Sequence, residues 1–149
     1  MSAELRNLYQ EVIVDHSRRP RNFGPLPDAS QHAEGLNPLC GDRVVLHLKV
    51  VDGLICEARF EGTGCAISTA SASLMTESLI GCRTTDAERL FASFHGMLTA
   101  ERQALDMPLG KLEVLAGVRE FPTRIKCATL AWHTLLAALH NEKQAAKTE

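Results

Sequence analysis

The spacing of hydrophobic positions is helical at the start of the chain. Hydrophobic residues recur every three or four positions and so share one face, which is typical of an amphipathic helix. This face consists of Leu5, Leu8, Tyr9, Val12, Ile13 and His16. Pro20 is expected to end the helix because it cannot donate a backbone hydrogen bond. Residues 20–38, rich in Pro, Gly, Asn and Asp, are predicted to form a long loop with one short edge strand.

Two strands are predicted next, because apolar and polar residues alternate with a period of two. The apolar positions are Val44, Leu46, Leu48 and Val50 on the first strand and Leu54, Cys56, Ala58 and Phe60 on the second. Asp52-Gly53 lies between them and is typical of a tight hairpin turn. The pattern predicts an antiparallel ribbon with one face covered by helices, and it places Cys56 in the core.

Helical spacing returns after Gly64 and predicts four further helices. The first covers 67–78 and ends at Gly81, and the second is capped by Thr85 and extends through Leu98. A short helix follows over 109–117, and Pro122 opens the last one. The buried stripe of the last helix is Ile125, Ala128, Trp132, Leu135, Leu136 and Leu139.

These elements predict an α+β fold, a small antiparallel sheet with helices packed around it. The 149 residues, 45% of them hydrophobic, suffice for a single domain over 1–149, with residues 142–149 expected to fray. A net charge of −2 provides no electrostatic attraction to nucleic acid or to an anionic membrane.

The number of cysteines helps to predict the cellular compartment of the protein. Five cysteines are an odd number, which excludes a complete disulfide framework. Glu4 and Arg6 interrupt any secretory leader, and no apolar run reaches the roughly 18 residues of a membrane helix. We expect a reducing cytoplasm, where cysteines more often bind metals or take part in redox and sulfur chemistry.

Cys40 and Asp42 flank Gly41 where the long loop becomes a strand. Residues i and i+2 of an extended backbone point to one side, so a thiolate and a carboxylate can converge on one cation. The alternative is a buried cysteine beside an ordinary turn aspartate.

Cys65 and Cys127 are both predicted near helix N-termini, where the positive end of the helix dipole favours a thiolate. Arg124 lies three residues before Cys127 and shares its helix face, so its guanidinium could stabilise a thiolate or persulfide. The alternative for the cysteines is that they are small core residues. The alternative for Arg124 is that it is a surface arginine without a partner. With Cys40 and Asp42, the two cysteines complete a tetrahedral zinc set or most of an iron–sulfur cradle.

The remaining candidates are weaker. Cys82 follows a helix-ending glycine and is interpreted as structural or incidental. Lys126 points about 100° away from Cys127 around the helix. The six histidines show no ligand-type spacing, and none is a first choice as a metal ligand.

Four segments together resemble the IscU/NifU/SufU-like family of iron–sulfur cluster assembly proteins. They are the stretch from Tyr9 to Gly24, Asn37-Pro38-Leu39-Cys40-Gly41-Asp42, the stretch from Phe60 to Ser68, and the final Cys127 segment. Within that family the chain is similar to the SufU branch. The IscU branch has a histidine where Lys126 stands, and the 62 positions from Cys65 to Cys127 leave room for an additional helical segment.

The resemblance implies a SufE/NifU-like fold and a role in iron–sulfur cluster assembly. It implies that Cys40, Asp42, Cys65 and Cys127 bind zinc and that Cys127 accepts persulfide sulfur, with Arg124 assisting. The implied partners are a SufS-like cysteine desulfurase and downstream SUF assembly proteins.

Two alternatives stay open at this point. The same residues could build and transfer a two-iron cluster, which would make the protein a scaffold rather than an enzyme. They could also form a non-catalytic zinc adaptor that activates the desulfurase.

Overall fold

The computed structural model describes residues 3–99, 107–141 and 146–147. Its helices are α1 (Ala3–Arg18), α2 (Ala66–Leu79), α3 (Thr84–Thr99), a 3₁₀ helix (Gly110–Glu120) and α4 (Pro122–Leu139). Its strands are β1 (Gln31–Asn37), β2 (Asp42–Val51), β3 (Leu54–Thr63) and β4 (Ala146–Lys147).

One sheet with strand order β3-β2-β1-β4 organises the fold. The pairs β1–β2 and β2–β3 are antiparallel, and the two-residue β4 runs parallel to β1 beside Gly35 and Leu36. The predicted α+β class with a small antiparallel sheet is confirmed. The strand predicted within residues 20–38 is present as β1, but it is not at the edge of the sheet, because β4 pairs with its other side. Residues 142–145 and 148–149 of the tail expected to fray lie outside the described residues.

A β-bulge corrects the prediction for Cys56. Lys49 pairs with Glu57 but Val50 pairs with Ile55, so Cys56 is the extra residue of β3. A bulge shifts the alternation of side chains by one position. Ile55 is therefore buried, whereas Cys56 is half-buried and Leu54 is exposed.

Helices cover one face of the sheet. α4 packs against β1 and β2, and α2 packs against β3 and α4. The approach of α4 is so close that a Cβ at Gly35 would overlap Thr134. α1 packs on α2 and ends at Arg18, before Pro20 as predicted. Leu8 is exposed, so it does not belong to the predicted buried face of α1.

A polar network at the centre of the core fixes α2 against α4. The Ser71 hydroxyl donates to the Ala128 carbonyl at 2.6 Å and accepts the Trp132 indole N–H at 3.2 Å. The Trp132 ring also stacks on Phe94 of α3, with 4.5 Å between the ring centroids. Because Cys65 precedes α2 and Cys127 lies on α4, this network sets the distance between two candidate site residues.

The other helix boundaries differ by a few residues from the predictions. α3 begins at Thr84, so Thr85 lies inside its first turn rather than at the cap. The short helix over 109–117 is a 3₁₀ helix that extends to Glu120, and Pro122 opens α4 as predicted. Within the described residues, none of the helices is long and apolar enough to cross a membrane.

Candidate metal centre

The hairpin between β1 and β2 positions Cys40 and Asp42. The Asn37 carbonyl accepts hydrogen bonds from the backbone N–H groups of Cys40 at 3.2 Å and Gly41 at 2.9 Å. Gly41 has φ +71°, a left-handed conformation that glycine adopts without strain. The turn leaves Cys40 exposed at the tip, while Asp42, the first residue of β2, is buried.

The two carboxylate oxygens of Asp42 have different surroundings. Oδ1 accepts the Cys65 backbone N–H at 3.0 Å. Oδ2 is buried and has no hydrogen-bond partner among the residues that the structure describes. A buried carboxylate oxygen without a partner is costly unless a cation or a donor satisfies it. Gly64 is needed beside this carboxylate, because a Cβ there would lie 2.9 Å from Oδ1.

Cys65 is the N-cap residue of α2, at the helix N-terminus predicted from the sequence. Its Sγ accepts the Ser68 backbone N–H at 3.4 Å, in the way an oxygen does at an ordinary N-cap. Its own N–H binds Asp42, so the start of α2 is attached to the start of β2. Cys65 is half-buried.

Cys127 is fully buried in the second turn of α4. Its thiol donates to Cys40 Sγ at 3.6 Å and accepts the Asn37 side-chain N–H at 3.9 Å. Burial, followed by hydrogen bonding to Cys40 and the charge of Cys65, raises the pKa of the Cys127 thiol. This differs from the sequence expectation of a thiolate favoured by the helix end. Burial among three other acidic groups outweighs the helix dipole here.

These side chains fit a zinc ion. The ligand atoms of Cys40, Asp42 and Cys127 all lie within 4.8 Å of one another. Zn–S bonds of about 2.3 Å at tetrahedral angles place two sulfur atoms about 3.8 Å apart, close to the 3.6 Å observed between Cys40 and Cys127. A cation would also satisfy the buried Asp42 Oδ2 and would favour the thiolate of Cys127. Cys65, the fourth ligand predicted from the sequence, lies outside this group of three, although its backbone N–H binds Asp42 and its thiol neighbours Cys127.

Arg124 lies on the exposed side of this cluster. Its guanidinium neighbours the thiols of Cys127 and Cys65, and the hydrogen bond to Cys127 with the charge of Cys65 raises the pKa of Arg124. The i, i+3 spacing from Cys127 predicted this shared face. Arg124 is exposed and can therefore contact an incoming anionic group.

Asn37 was not singled out from the sequence. It is buried, it shapes the Cys40 turn through its carbonyl and it contacts Cys127 through its side chain. Its side-chain Oδ1 has no partner among the described residues. The sequence feature that could have identified Asn37 is its position directly before Pro38 and three residues before Cys40, because asparagine is common at such positions in turns.

Comparison with known proteins places the chain in a family. The family described as NifU-like N terminal domain matches residues 8–148. The chain belongs to this family. The resemblance derived from the four sequence segments is thereby confirmed.

Individual relatives agree with this assignment. The zinc-dependent sulfurtransferase SufU of Bacillus subtilis (strain 168) is 43% identical over 99% of this chain and 96% of the relative. The iron–sulfur cluster assembly scaffold protein IscU of Streptococcus pyogenes serotype M1 is 41% identical over 96% of this chain and 89% of the relative. A solved structure from Fervidobacterium islandicum AW-1, described as a candidate scaffold protein for the SUF system, superposes with a TM-score of 0.83. That structure is 33% identical, and the match covers 93% of this chain and 99% of the other.

Proposed function

We propose that this protein acts in iron–sulfur cluster assembly as a zinc-dependent acceptor of persulfide sulfur from a cysteine desulfurase, working as one unit over residues 1–149. The observation that carries the proposal is the buried Oδ2 of Asp42, which has no hydrogen-bond partner in the described part of the chain and lies beside the Cys40–Cys127 thiol pair. The relative named as a zinc-dependent sulfurtransferase supports the same chemistry.

Cys40, Asp42, Cys65 and Cys127 would hold the zinc. When bound, zinc favours the thiolate form of its cysteine ligands at neutral pH. The carboxylate of Asp42 also orients Cys65 through the backbone hydrogen bond at 3.0 Å, so the two residues move together.

Cys127 is the proposed sulfur acceptor. Its thiolate attacks the terminal sulfur of the desulfurase persulfide. A new S–S bond forms at Cys127, the S–S bond of the desulfurase breaks, and the desulfurase cysteine leaves as a thiolate. Arg124 stabilises the anionic persulfide, because its guanidinium already lies beside the Cys127 sulfur.

The desulfurase would approach the exposed end of the site. Leu39 at the hairpin tip is 74% exposed and Phe121 before α4 is 60% exposed. Large apolar residues beside a charged group are typical of protein contact surfaces. Arg124, three residues after Phe121, is also exposed and adds a positive charge for an acidic partner surface. Downstream SUF assembly proteins and a reducing cytoplasm are part of the same proposal.

The second candidate function is a scaffold on which a two-iron cluster is built and transferred. The relatives named as IscU scaffold proteins favour it, and the same four side chains could serve as cluster ligands. A third candidate, a zinc adaptor without a sulfur-transfer step, needs the metal site but not a reactive Cys127.

One experiment separates the three functions. The zinc-loaded protein is mixed with a cysteine desulfurase and cysteine, and its intact mass and metal content are measured. Sulfur transfer predicts a species heavier by one sulfur atom, with zinc retained, that is lost in Cys127→Ser and reduced in Arg124→Ala. Cys82→Ser, whose half-buried thiol donates to the Ser78 carbonyl, is the control and should behave as the unmodified chain.

The other outcomes identify the alternatives. Bound iron with equimolar sulfide would indicate the scaffold. Zinc without a persulfide, together with desulfurase stimulation that survives Cys127→Ser, would indicate the adaptor.

A further inference from the structure

Two histidines meet on the face of the sheet that the helices leave open. β1 and β2 pair so that His32 lies directly opposite His47. The neighbouring residues Leu46 and Leu48 point into the core, so His47 points to the opposite face. The two Nδ1 atoms are 2.8 Å apart, and the rings meet edge to face with centroids 5.0 Å apart.

Glu61 on β3 determines which nitrogen of His47 is free. Its carboxylate lies 2.8 Å from His47 Nε2, and a carboxylate can only accept a hydrogen bond in this contact. Nε2 therefore carries the proton, and Nδ1 of a neutral His47 presents a lone pair. His32 Nδ1–H is then the donor of the hydrogen bond between the rings.

A carboxylate on the distal nitrogen of a histidine is the arrangement that supports metal-ligating histidines. It fixes the tautomer and the orientation of the ring. His32 must move its proton to Nε2, and both rings must turn slightly, for the two Nδ1 lone pairs to face one ion.

The distance between these nitrogens is compatible with one class of metal. The hydrogen bond between the rings holds the two nitrogens 2.8 Å apart. Metal–nitrogen bonds of about 2.0 Å at a right angle span the same distance, so an ion can replace the bridging proton once each ring turns its Nδ1 lone pair towards it. Tetrahedral zinc requires about 3.3 Å. We propose that His32 and His47 form a second metal site, selective for Ni²⁺ or Cu²⁺, with Glu61 as the positioning residue and water completing the coordination.

The charges on this face permit a cation. Arg43 pairs with Glu34 at 2.6 Å, and Lys49 pairs with Asp28 at 2.8 Å. Arg59 lies opposite His47 on β3, but its side chain extends towards Gly24. Its Nη1 would lie 3.9 Å from a Cβ added at that glycine.

This site is separate from the cysteine and aspartate cluster. Asp42 is buried on the helix-covered face of β2, whereas His47 lies on the open face of the same strand. His32 is exposed and His47 retains 13% of its side-chain exposure, so an ion can enter from solvent. The protein would therefore bind more than one metal ion per chain without any change at the thiols.

The test uses the full chain loaded with zinc, titrated with Ni²⁺ by calorimetry, with zinc content measured before and after. The expected result is one Ni²⁺ per chain with zinc retained. His32→Gln and His47→Gln should each weaken binding at least tenfold, and Glu61→Gln should weaken it less, because it removes a positioning residue. His140→Gln is the matched control, since His140 is also exposed and also contacts a glutamate, Glu88, at 2.7 Å.

A second measurement does not depend on affinity. Paramagnetic Ni²⁺ should broaden the imidazole proton resonances of His32 and His47 before those of His140. Unchanged titrations in His32→Gln and His47→Gln would overturn the proposal. Release of zinc in step with Ni²⁺ uptake, or an equal loss of binding in His140→Gln, would overturn it as well.

Discussion

The two carboxylate oxygens of Asp42 differ, because one connects two elements of the fold and the other is available to a metal ion. Its Oδ1 accepts the Cys65 N–H and connects β2 to α2, whereas its buried Oδ2 has no partner among the described residues. The first role needs only an oxygen. The second needs a negative charge that a metal ion can satisfy.

Asp42→Asn separates these roles. Asparagine keeps an oxygen for the Cys65 N–H but offers an amide group in place of the charged Oδ2. We expect zinc affinity to fall at least about tenfold. The metal-free protein should not lose stability, because an unpartnered buried charge has been removed. Competition with a chromophoric chelator measures the first quantity, and urea denaturation of the metal-free protein measures the second.

Asp28→Asn is the control for Asp42→Asn. It removes an exposed carboxylate that pairs with Lys49, and it should leave zinc affinity unchanged. Equal zinc affinity in Asp42→Asn and the unmodified chain would show that Asp42 is not a ligand.

Local sequence signals identify residues that the structure brings together, but they do not identify the residues around them. Cys40, Asp42 and Cys127 carry local signals and converge in the structure. The contact between His32 and His47 has no local signal, because 15 positions separate them and only the register of β1 against β2 brings them together.

At the scale of elements, the relation of α2 to α4 decides the geometry of the site. Ser71 accepts the Trp132 indole N–H inside the core and donates to the Ala128 carbonyl, next to Cys127. Cys65 and Cys127 thus lie near the N-termini of two helices that this hydroxyl bridges.

Ser71→Ala tests this connection. It leaves the buried Trp132 N–H without a partner, which costs about 1–3 kcal/mol in the free energy of unfolding. Urea denaturation measures the loss. Ser78→Ala on the same helix is the control. Its half-buried hydroxyl donates to the Leu74 carbonyl of its own helix, so the change should stay within about 0.5 kcal/mol. Equal losses in the two variants would contradict a special role for Ser71.

Periodicity predicted the elements but not the irregularities that long-range pairing creates. The bulge at Cys56 follows from the register of β3 against β2, which no short window of sequence contains. The β1–β4 pair likewise joins residues about a hundred positions apart in the chain. Pro122, by contrast, acts locally through its missing N–H, and it opens α4 where the sequence placed it.

At the scale of the whole molecule, the candidate metal centre connects distant parts of the chain. Cys40 and Cys127 are 87 positions apart, and they belong to the β1–β2 hairpin and to α4. An ion bound to both closes a long loop, which is costly to close without it. Metal binding and folding stability should therefore be coupled.

Removal of the metal should lower the melting temperature. An ion present at 100 times its dissociation constant stabilises the folded state by about 2.7 kcal/mol. In a domain of this size that corresponds to roughly 5–10 °C. Calorimetry of the zinc-loaded protein before and after EDTA measures the difference, and added zinc should restore the original value.

Cys40→Ser should melt near the temperature of the EDTA-treated protein whether or not zinc is present. This variant loses an exposed metal ligand, but it keeps all the contacts of the core. Cys56→Ser, at the bulge, should still respond to EDTA like the unmodified chain. An unchanged melting temperature after zinc removal would show that the four residues do not bind the ion jointly, because a site joining the hairpin to α4 must stabilise the fold that brings them together.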